Sequence, residues 1–202
     1  MFVDIHTHID NQSVIKIVNN NSEQKILKTW GVHPWDVSCH FDRQVSLNDV
    51  VAIGEVGLDK AHKETFDKQV EVFEEMIRLS ETYRKPMIIH CVRAYSEIIE
   101  MRKKTKATMP WVIHGFNSSV ETMQQLLRHD MYISLGKILY RNENQSVEIL
   151  KNIPLERLFL ETDVSGRDIK DVYLKAAELM DCDIEILSNK IIENYGRLEA
   201  AH

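Results

Sequence analysis

The stretch FVDIHTHIDNQSVIKIVNNNSEQKILKTWGVH, residues 2–33, decides the fold at the start of the chain. It contains three apolar runs, which predict strands over residues 2–8, 13–19 and 24–33. Residues 9–12 and 19–23 connect these runs, and they are too short for the dozen or more residues that a parallel crossover needs. The first three strands should therefore run up, down and up, with the second antiparallel to both neighbours.

Beyond residue 50 the apolar runs alternate with helical patterns. The clearest helix is predicted over residues 64–83, and its residues Phe66, Val70 and Phe73 recur at helical spacing. Alternating strands and helices indicate a parallel sheet covered by helices. We therefore predict an α/β fold, a compressed TIM-type (β/α) barrel of about eight strands that are parallel after the third. The other predicted strands are 50–56, 85–91, 110–115, 131–136 and 157–162, and the other helices 94–106, 118–129, 143–151, 168–181 and 183–194.

Length and composition predict one domain over residues 1–202, because 202 residues with 44% hydrophobic content can bury a substantial core. The net charge is −6, from 31 acidic and 25 basic residues. This excludes the broad basic surface of a general nucleic-acid-binding protein. A polyanionic substrate would need local positive charge, which bound divalent cations could supply.

The sequence predicts a cytoplasmic protein without a membrane segment. No apolar run approaches the roughly 18 residues of a membrane span, and Asp4 with two histidines stands where a signal peptide would be apolar. The three cysteines Cys39, Cys91 and Cys182 are far apart and form no CxxC pair. That pattern suits a reducing compartment and argues against a thiolate zinc site.

Five apolar strands carry potential metal ligands at their carboxyl ends, the end at which barrel active sites are built. These ligands are His6, His8, Glu55, His90, His114 and Asp163. Each one also has an ordinary structural explanation, since a single histidine can bond a carbonyl group and a single carboxylate can cap a helix. Their convergence on one end of a barrel favours a metal centre instead.

Four imidazoles and two carboxylates make a mixed nitrogen and oxygen donor set. Such a set suits Zn²⁺, Mn²⁺, Fe²⁺ or Ni²⁺ more naturally than Mg²⁺. Six ligands exceed what one ion needs, so the sequence predicts two divalent ions. Glu55 has two carboxylate oxygens and lies between the HxH pair and the later histidines, and it can therefore bridge two ions.

Several motifs along the chain together resemble the TatD-type metal-dependent hydrolases, a branch of the amidohydrolase superfamily known mainly as deoxyribonucleases. The resemblance runs from residue 2 to about residue 198 and implies a TIM-type barrel. The motifs, in family order, are DIHTH (4–8), GVHPW (31–35), GEVGLD (54–59), PMIIHC (86–91), IHGF (113–116), LFLETD (158–163) and the terminal NYGRL (194–198).

The resemblance also implies roles for individual residues. One metal would be held by the HxH pair and the aspartate of ETD, which are His6, His8 and Asp163. A second metal would be held by His90 and His114, with Glu55 bridging the two ions. Asp163 would in addition accept a proton from the attacking water, so Asp163 and Glu55 are the candidate catalytic residues.

The sequence departs from the family pattern around the ligands. The N-terminal part of the chain is short, as though the first barrel helices were missing. Val92 stands where the family usually has arginine, and ETD is followed by Val164 and Ser165 in place of a proline-containing loop. Four residues near strand ends are candidates for substrate contact: His33, Arg93, Lys137 and Arg141. The three cationic residues have two explanations: contact with a phosphate, or an ordinary exposed position in a loop or at a helix start. For His33, supporting a metal ligand or contacting the substrate is favoured over binding the metal directly.

These inferences predict a divalent-metal-dependent hydrolase, most directly a phosphodiesterase or deoxyribonuclease that attacks with a metal-activated hydroxide. The substrate would be DNA or a small phosphoester, and no protein partner is implied. A second hypothesis keeps the dinuclear site and changes the bond to a small-molecule amide, lactone or phosphate ester. A third is a metal-binding scaffold without turnover. Activity on single-stranded DNA and small substrates discriminates among them.

Overall fold

The computed structural model describes residues 1–9, 12–19, 23–38 and 46–200. Its strands form one eight-stranded sheet in which they follow the order of the chain. The strands are β1 (Phe2–Ile9), β2 (Gln12–Val18), β3 (Gln24–Trp30), β4 (Val50–Asp59), β5 (Met87–Val92), β6 (Trp111–Ile113), β7 (Met131–Leu135) and β8 (Leu158–Leu160). The sheet is mixed and nearly closed into a barrel.

Helices follow the strands from β4 onward. Four of them begin at side-chain caps, since Ser119, Asn142, Asp168 and Asp183 each accept a hydrogen bond from a backbone N–H in the first turn. The helices are α1 (Phe66–Tyr83), α2 (Tyr95–Thr105), α3 (Val120–Leu127), α4 (Ile138–Arg141), α5 (Glu143–Asn152), α6 (Ile169–Met180) and α7 (Ile184–Ala200), with 3₁₀ turns at Lys63–Thr65 and Leu155–Arg157. Within the described ranges, none is both long and apolar enough to span a bilayer.

The first three strands form the predicted up-down-up meander. β1 pairs with β2 and β2 with β3 in antiparallel fashion, with Val3 opposite Ile17 and Ile15 opposite Leu27. Every later pair, from β3–β4 to β7–β8, is parallel. The part of the chain that the structure describes contains no helix before Lys63. The loop-length argument is therefore confirmed, and so is the compressed barrel.

The seam between β8 and β1 nearly closes the sheet. Thr7 and Asp163 form a parallel bridge, in which the N–H of Asp163 donates to the carbonyl oxygen of His6 at 3.0 Å. Both carboxylate oxygens of Asp4 accept from Thr162, at 2.9 Å from its N–H and 2.6 Å from its hydroxyl. Burial raises the pKa of Asp4 to about 7, although the bonds from Thr162 act in the opposite direction. The seam thus fixes the loop that carries Asp163.

Helices cover the later strands, whereas β3 remains the most exposed. The hydroxyl of Tyr173 on α6 donates to the carbonyl oxygen of Val3 at 2.9 Å, and Phe73 on α1 packs edge-on against Trp111. No helix separates β1, β2 and β3 in the described residues, so Ile26 on β3 is half exposed. The short front leaves one side of the barrel without the usual helical layer.

Two strands end three residues away from their predicted ends. β3 ends at Trp30 rather than at residue 33, so that residues 31–33 belong to a loop. β4 continues to Asp59, three residues past the predicted end, because Gly57, Leu58 and Asp59 keep pairing with β5. The expectation that Glu55 ends its strand is wrong. Glu55 lies within β4, and Asp59 occupies the strand end.

Candidate metal centre

The predicted ligands come from five places on the sheet and meet at the carboxyl ends of the parallel strands. His6 and His8 lie two residues apart on β1, so their side chains share one face of the strand. Glu55 projects from β4 and His90 from β5, while His114 directly follows β6 and Asp163 ends the ETD segment that follows β8. The sequence-predicted set of six ligands is therefore gathered in one place. Cys39 lies outside the described residues.

Glu55 is the centre of this cluster, and its carboxylate is buried. Its Oε2 faces the HxH pair, at 3.3 Å from His6 Nε2 and 3.4 Å from His8 Nε2. Asp163 completes this side, because its Oδ1 lies 3.6 Å from the Nε2 atoms of both histidines. One oxygen of Glu55 thus faces two imidazoles and a carboxylate.

The other oxygen of Glu55 faces three further imidazoles. Its Oε1 lies 2.8 Å from His90 Nδ1 and 2.8 Å from His114 Nε2. His33 Nε2 approaches the same oxygen at 3.2 Å. The carboxylate therefore stands between two separate groups of nitrogen donors, as a bridging ligand does.

The electrostatics of the cluster follow from this arrangement. Burial by itself would raise the pKa of Glu55, but the charge and hydrogen bond of His114, together with the hydrogen bond of His33, hold it far below its usual range. The hydrogen bond to Glu55 raises the pKa of His8. Burial and the neighbouring His114 lower the pKa of His6. The cluster therefore holds an ionised carboxylate and at least one neutral imidazole, which are the forms that bind metals.

The donor chemistry fits divalent cations. His6 is fully buried, and its Nε2 makes no hydrogen bond although it points toward Glu55 and Asp163. A buried polar atom without a partner is costly, and a cation would satisfy it. Two triplets offer donor atoms within 4.8 Å of one another: His6, His8 and Glu55, and His33, Glu55 and His90. In the second triplet His33 stands where the resemblance implied His114, so the structure brings His33 to ligand distance.

Buried carboxylates lie near the ring nitrogens of His90 and His114 that face away from Glu55. Asp59 Oδ2 lies 3.2 Å from His90 Nε2, the ring nitrogen that faces away from Glu55. Glu161 Oε1 accepts from the N–H of Gly115 at 2.7 Å and lies 3.6 Å from His114 Nδ1. Such partners fix the orientation and tautomer of a ligating histidine. Sequence reasoning assigned neither role, although both residues lie inside recognised motifs, GEVGLD and ETD.

An open cavity of about 970 Å³ leads to the centre. Besides the ligands, residues of β3 and of the loop that follows it line this cavity, among them Lys28, Trp30 and Trp35. The candidate substrate residue His33 lies in its wall. The other three candidates, Arg93, Lys137 and Arg141, are exposed residues outside that wall, and their contact with substrate stays a prediction.

Comparison with known sequences gives a consistent result. The family described as "TatD related DNase" matches residues 1–199. The uncharacterized metal-dependent hydrolase YabD of Bacillus subtilis is 32% identical over 165 residues, which are 74% of this chain and 65% of that protein. The deoxyribonuclease Tat-D of Schizosaccharomyces pombe is 26% identical over 163 residues, which are 70% of this chain and 52% of that protein. The chain thus spans about half to two thirds of the length of these relatives.

Among solved structures, the TatD homolog YJJV of Escherichia coli superimposes with a TM-score of 0.74. The alignment covers 85% of this chain and 75% of that one, with 23% sequence identity. At this identity the likeness establishes the barrel fold.

Proposed function

The chain belongs to the TatD-related DNase family, and from this premise we propose that it is a divalent-metal-dependent hydrolase of phosphodiester bonds in DNA. The observation that carries the proposal is the position of Glu55, whose two oxygens face separate groups of imidazoles. A carboxylate in that position supports two ions held side by side, the arrangement used for in-line displacement at phosphorus.

Each residue then has a defined task. Divalent cations supply Lewis acidity, which makes water nucleophilic near neutral pH and offsets negative charge on a phosphate. His6, His8 and Asp163 would hold one ion, and His90 with His114 or His33 the other. Asp163 is partly exposed toward the cavity, so its Oδ1 can accept the proton of the attacking water.

The donor set also bears on the identity and number of the ions. Imidazole nitrogen dominates both groups around Glu55, which favours Zn²⁺, Mn²⁺, Fe²⁺ or Ni²⁺ over Mg²⁺. We propose two ions per chain, because more donors surround Glu55 than one tetrahedral or octahedral ion requires.

DNA is the favoured substrate for two reasons. The cavity is open, as a polymer substrate needs, and a relative that is 26% identical over 163 residues is named a deoxyribonuclease. The net charge of −6 supplies no general attraction for a polyanion. We therefore expect the ions to supply the positive charge at the phosphate that is hydrolysed, so that chelation abolishes turnover.

A second candidate is hydrolysis of a small-molecule amide, lactone or phosphate ester at the same centre. The small number of cationic groups in the cavity favours this candidate, since Lys28 is the one lysine or arginine among the described lining residues. A polynucleotide usually meets several such groups. The two candidates differ in their substrate and share the metal chemistry.

We further propose that the protein acts in a reducing compartment such as the cytoplasm. Cys91 is buried, and burial raises the pKa of its thiol to about 12, which suits an inert thiol. Both described cysteines are free. Mass spectrometry of protein isolated under thiol alkylation should find Cys91 and Cys182 reduced.

The decisive experiment compares the unmodified protein with Glu55→Gln and a surface control, Glu64→Gln. Elemental analysis should find two ions per chain, and the loaded protein should hydrolyse single-stranded DNA. Glu55→Gln should lose affinity for both ions together, because an amide bridges poorly. Glu64→Gln, on an exposed side chain, should change neither property.

Three outcomes would contradict the proposal. A single ion at saturation, unaffected by Glu55→Gln, would exclude the bridge. Hydrolysis of p-nitrophenyl phosphate or an amide, without any cleavage of DNA, would favour the second candidate. Bound metal without turnover on any of these substrates would indicate a scaffold.

A further inference from the structure

Trp35 is an exposed aromatic side chain in the wall of the cavity, beside the metal centre. It is 57% exposed, whereas Trp111 is fully buried. Its ring lies 4.8 Å from that of His33 and 6.0 Å from that of His90, measured between centroids. Leaving so large an apolar surface in water forgoes the gain of burying it. A tryptophan in this position suggests that a ligand covers it.

Trp35 is also held in a fixed orientation. Its Nε1–H donates to Asp59 Oδ2 at 2.8 Å, and its backbone N–H donates to His33 Nδ1 at 3.2 Å. The ring meets His33 edge to face, at 85°, and lies 5.2 Å from the ring of His62. Because its one polar atom is anchored, the indole presents an already ordered apolar surface to the cavity. A ligand that stacks on it would pay little conformational entropy.

We infer that Trp35 is a stacking platform for an unpaired nucleobase next to the phosphodiester that is hydrolysed; this inference rests on the proposed function. Aromatic side chains bind single-stranded nucleic acids in this way, and they tolerate any sequence because every base has a flat π-face. Few cationic groups line the cavity, so recognition of the polymer needs a contact of another kind. Trp35 supplies it and favours single-stranded over duplex substrate, whose bases are already stacked.

A purely structural role for Trp35 makes a different prediction. Asp59 Oδ2 accepts from Trp35 Nε1 and also lies 3.2 Å from His90 Nε2, so the indole could act by orienting His90 through Asp59. Trp35→Phe keeps an aromatic face and removes the N–H. If stacking matters, Trp35→Phe resembles the unmodified protein. If positioning matters, it resembles Trp35→Ala.

The test measures binding to the protein in EDTA, which separates recognition from turnover. The probes are a hexamer of thymidine and a hexamer of abasic tetrahydrofuran residues with the same phosphates. Trp35→Ala should weaken binding of the thymidine hexamer about 5- to 150-fold, the range expected for one stacked base. Its affinity for the abasic hexamer should stay within about twofold of the unmodified protein, a margin well below that stacking range. Tyr83→Ala, an exposed aromatic residue at the end of α1 and outside the cavity wall, is the control and should change neither affinity.

The results that would overturn the inference differ from those that would overturn the function. Equal binding of the two hexamers by the unmodified protein, or no binding of either, would exclude a stacking platform. So would equal losses for both hexamers in Trp35→Ala, or a loss in Trp35→Phe as large as in Trp35→Ala. Failure of the metal-loaded protein to cleave any DNA would instead reject the proposed function, whatever the hexamers do.

Discussion

At the scale of single residues, Asp163 can be tested for two separate tasks, metal contact and proton transfer. Asp163→Asn keeps an oxygen that can touch the metal but removes the negative charge and the base. We expect this variant to retain much of its metal and to lose turnover on DNA by about 10²-fold or more, the scale of a general base. Metal content by elemental analysis and kcat at saturating metal check this.

His90→Ala is the matched comparison for Asp163→Asn. It removes an imidazole whose Nδ1 lies 2.8 Å from Glu55, so it should lose activity chiefly through metal loss. Excess divalent ion should then restore part of its activity, and should not restore Asp163→Asn. Full turnover of Asp163→Asn under saturating metal would show that another group takes the proton.

Glu161 offers a second test at the residue scale, because it touches a predicted ligand and faces no substrate. Burial by itself would raise its pKa, but the hydrogen bond and charge of His114 lower it, so Glu161 is a carboxylate behind an imidazole. Glu161→Gln should weaken metal affinity about 10- to 100-fold, as loss of such a partner typically does. Titration against a competing chelator measures this, and the exposed Glu178→Gln is the control.

At the scale of elements, β4 is the strand that positions Glu55 and Asp59 relative to His90. Gly57 on this strand has a φ of +146°, and a Cβ added there would lie 2.0 Å from the carbonyl oxygen of His90. At this close approach β4 stays paired with β5 beyond Glu55. Glu55 and Asp59 therefore lie on the same strand, four residues apart.

Gly57→Ala should therefore destabilise the fold and displace His90. The strained φ and the overlap with backbone predict a loss of about 2–4 kcal/mol in the free energy of unfolding. Gly196→Ala is the matched control, since Gly196 lies in α7 with nothing within 4 Å of an added Cβ. That change should stabilise the protein by up to about 1 kcal/mol. Urea unfolding of the two variants gives both values, and equal stabilities would refute the steric argument.

At the scale of the whole molecule, the candidate metal centre brings together residues from the N-terminal and C-terminal parts of the chain. Candidate ligands from β1, β5 and the segments after β6 and β8 lie around the Glu55 carboxylate of β4, so ions bound there would cross-link the barrel. The prediction that residues 1–202 form one domain requires a single cooperative unfolding transition.

Metal should consequently raise thermal stability. An ion at 100 times its Kd adds about 2.7 kcal/mol if it binds only the folded state. For a chain of this size that corresponds to a rise in Tm of about 5–10 °C. Thermal unfolding with Mn²⁺ or Zn²⁺ and then with EDTA measures the difference. Glu55→Gln should abolish most of the rise, and an unchanged Tm in the unmodified protein would argue against a site within the barrel.

The sequence by itself determined the features that depend on local pattern. Connections of a few residues forced the antiparallel front, because a parallel crossover cannot be built from them. Alternating strand and helix patterns specified the parallel remainder, and histidines and carboxylates in or after apolar strands marked the candidate ligands, since side-chain direction follows from strand periodicity. These are short-range properties of the chain.

The tertiary structure alone decided the contacts between residues far apart in sequence. His90 meets Asp59 across 31 positions, and His114 lies beside Glu161 across 47 positions. The approach of His33 to Glu55 and the anchoring of Trp35 on Asp59 depend likewise on how the loop after β3 folds back over β4 and β5. No periodicity encodes such contacts, because they arise from packing whole elements together. Local pattern therefore identified the candidate ligands, and packing determined which groups lie beside them.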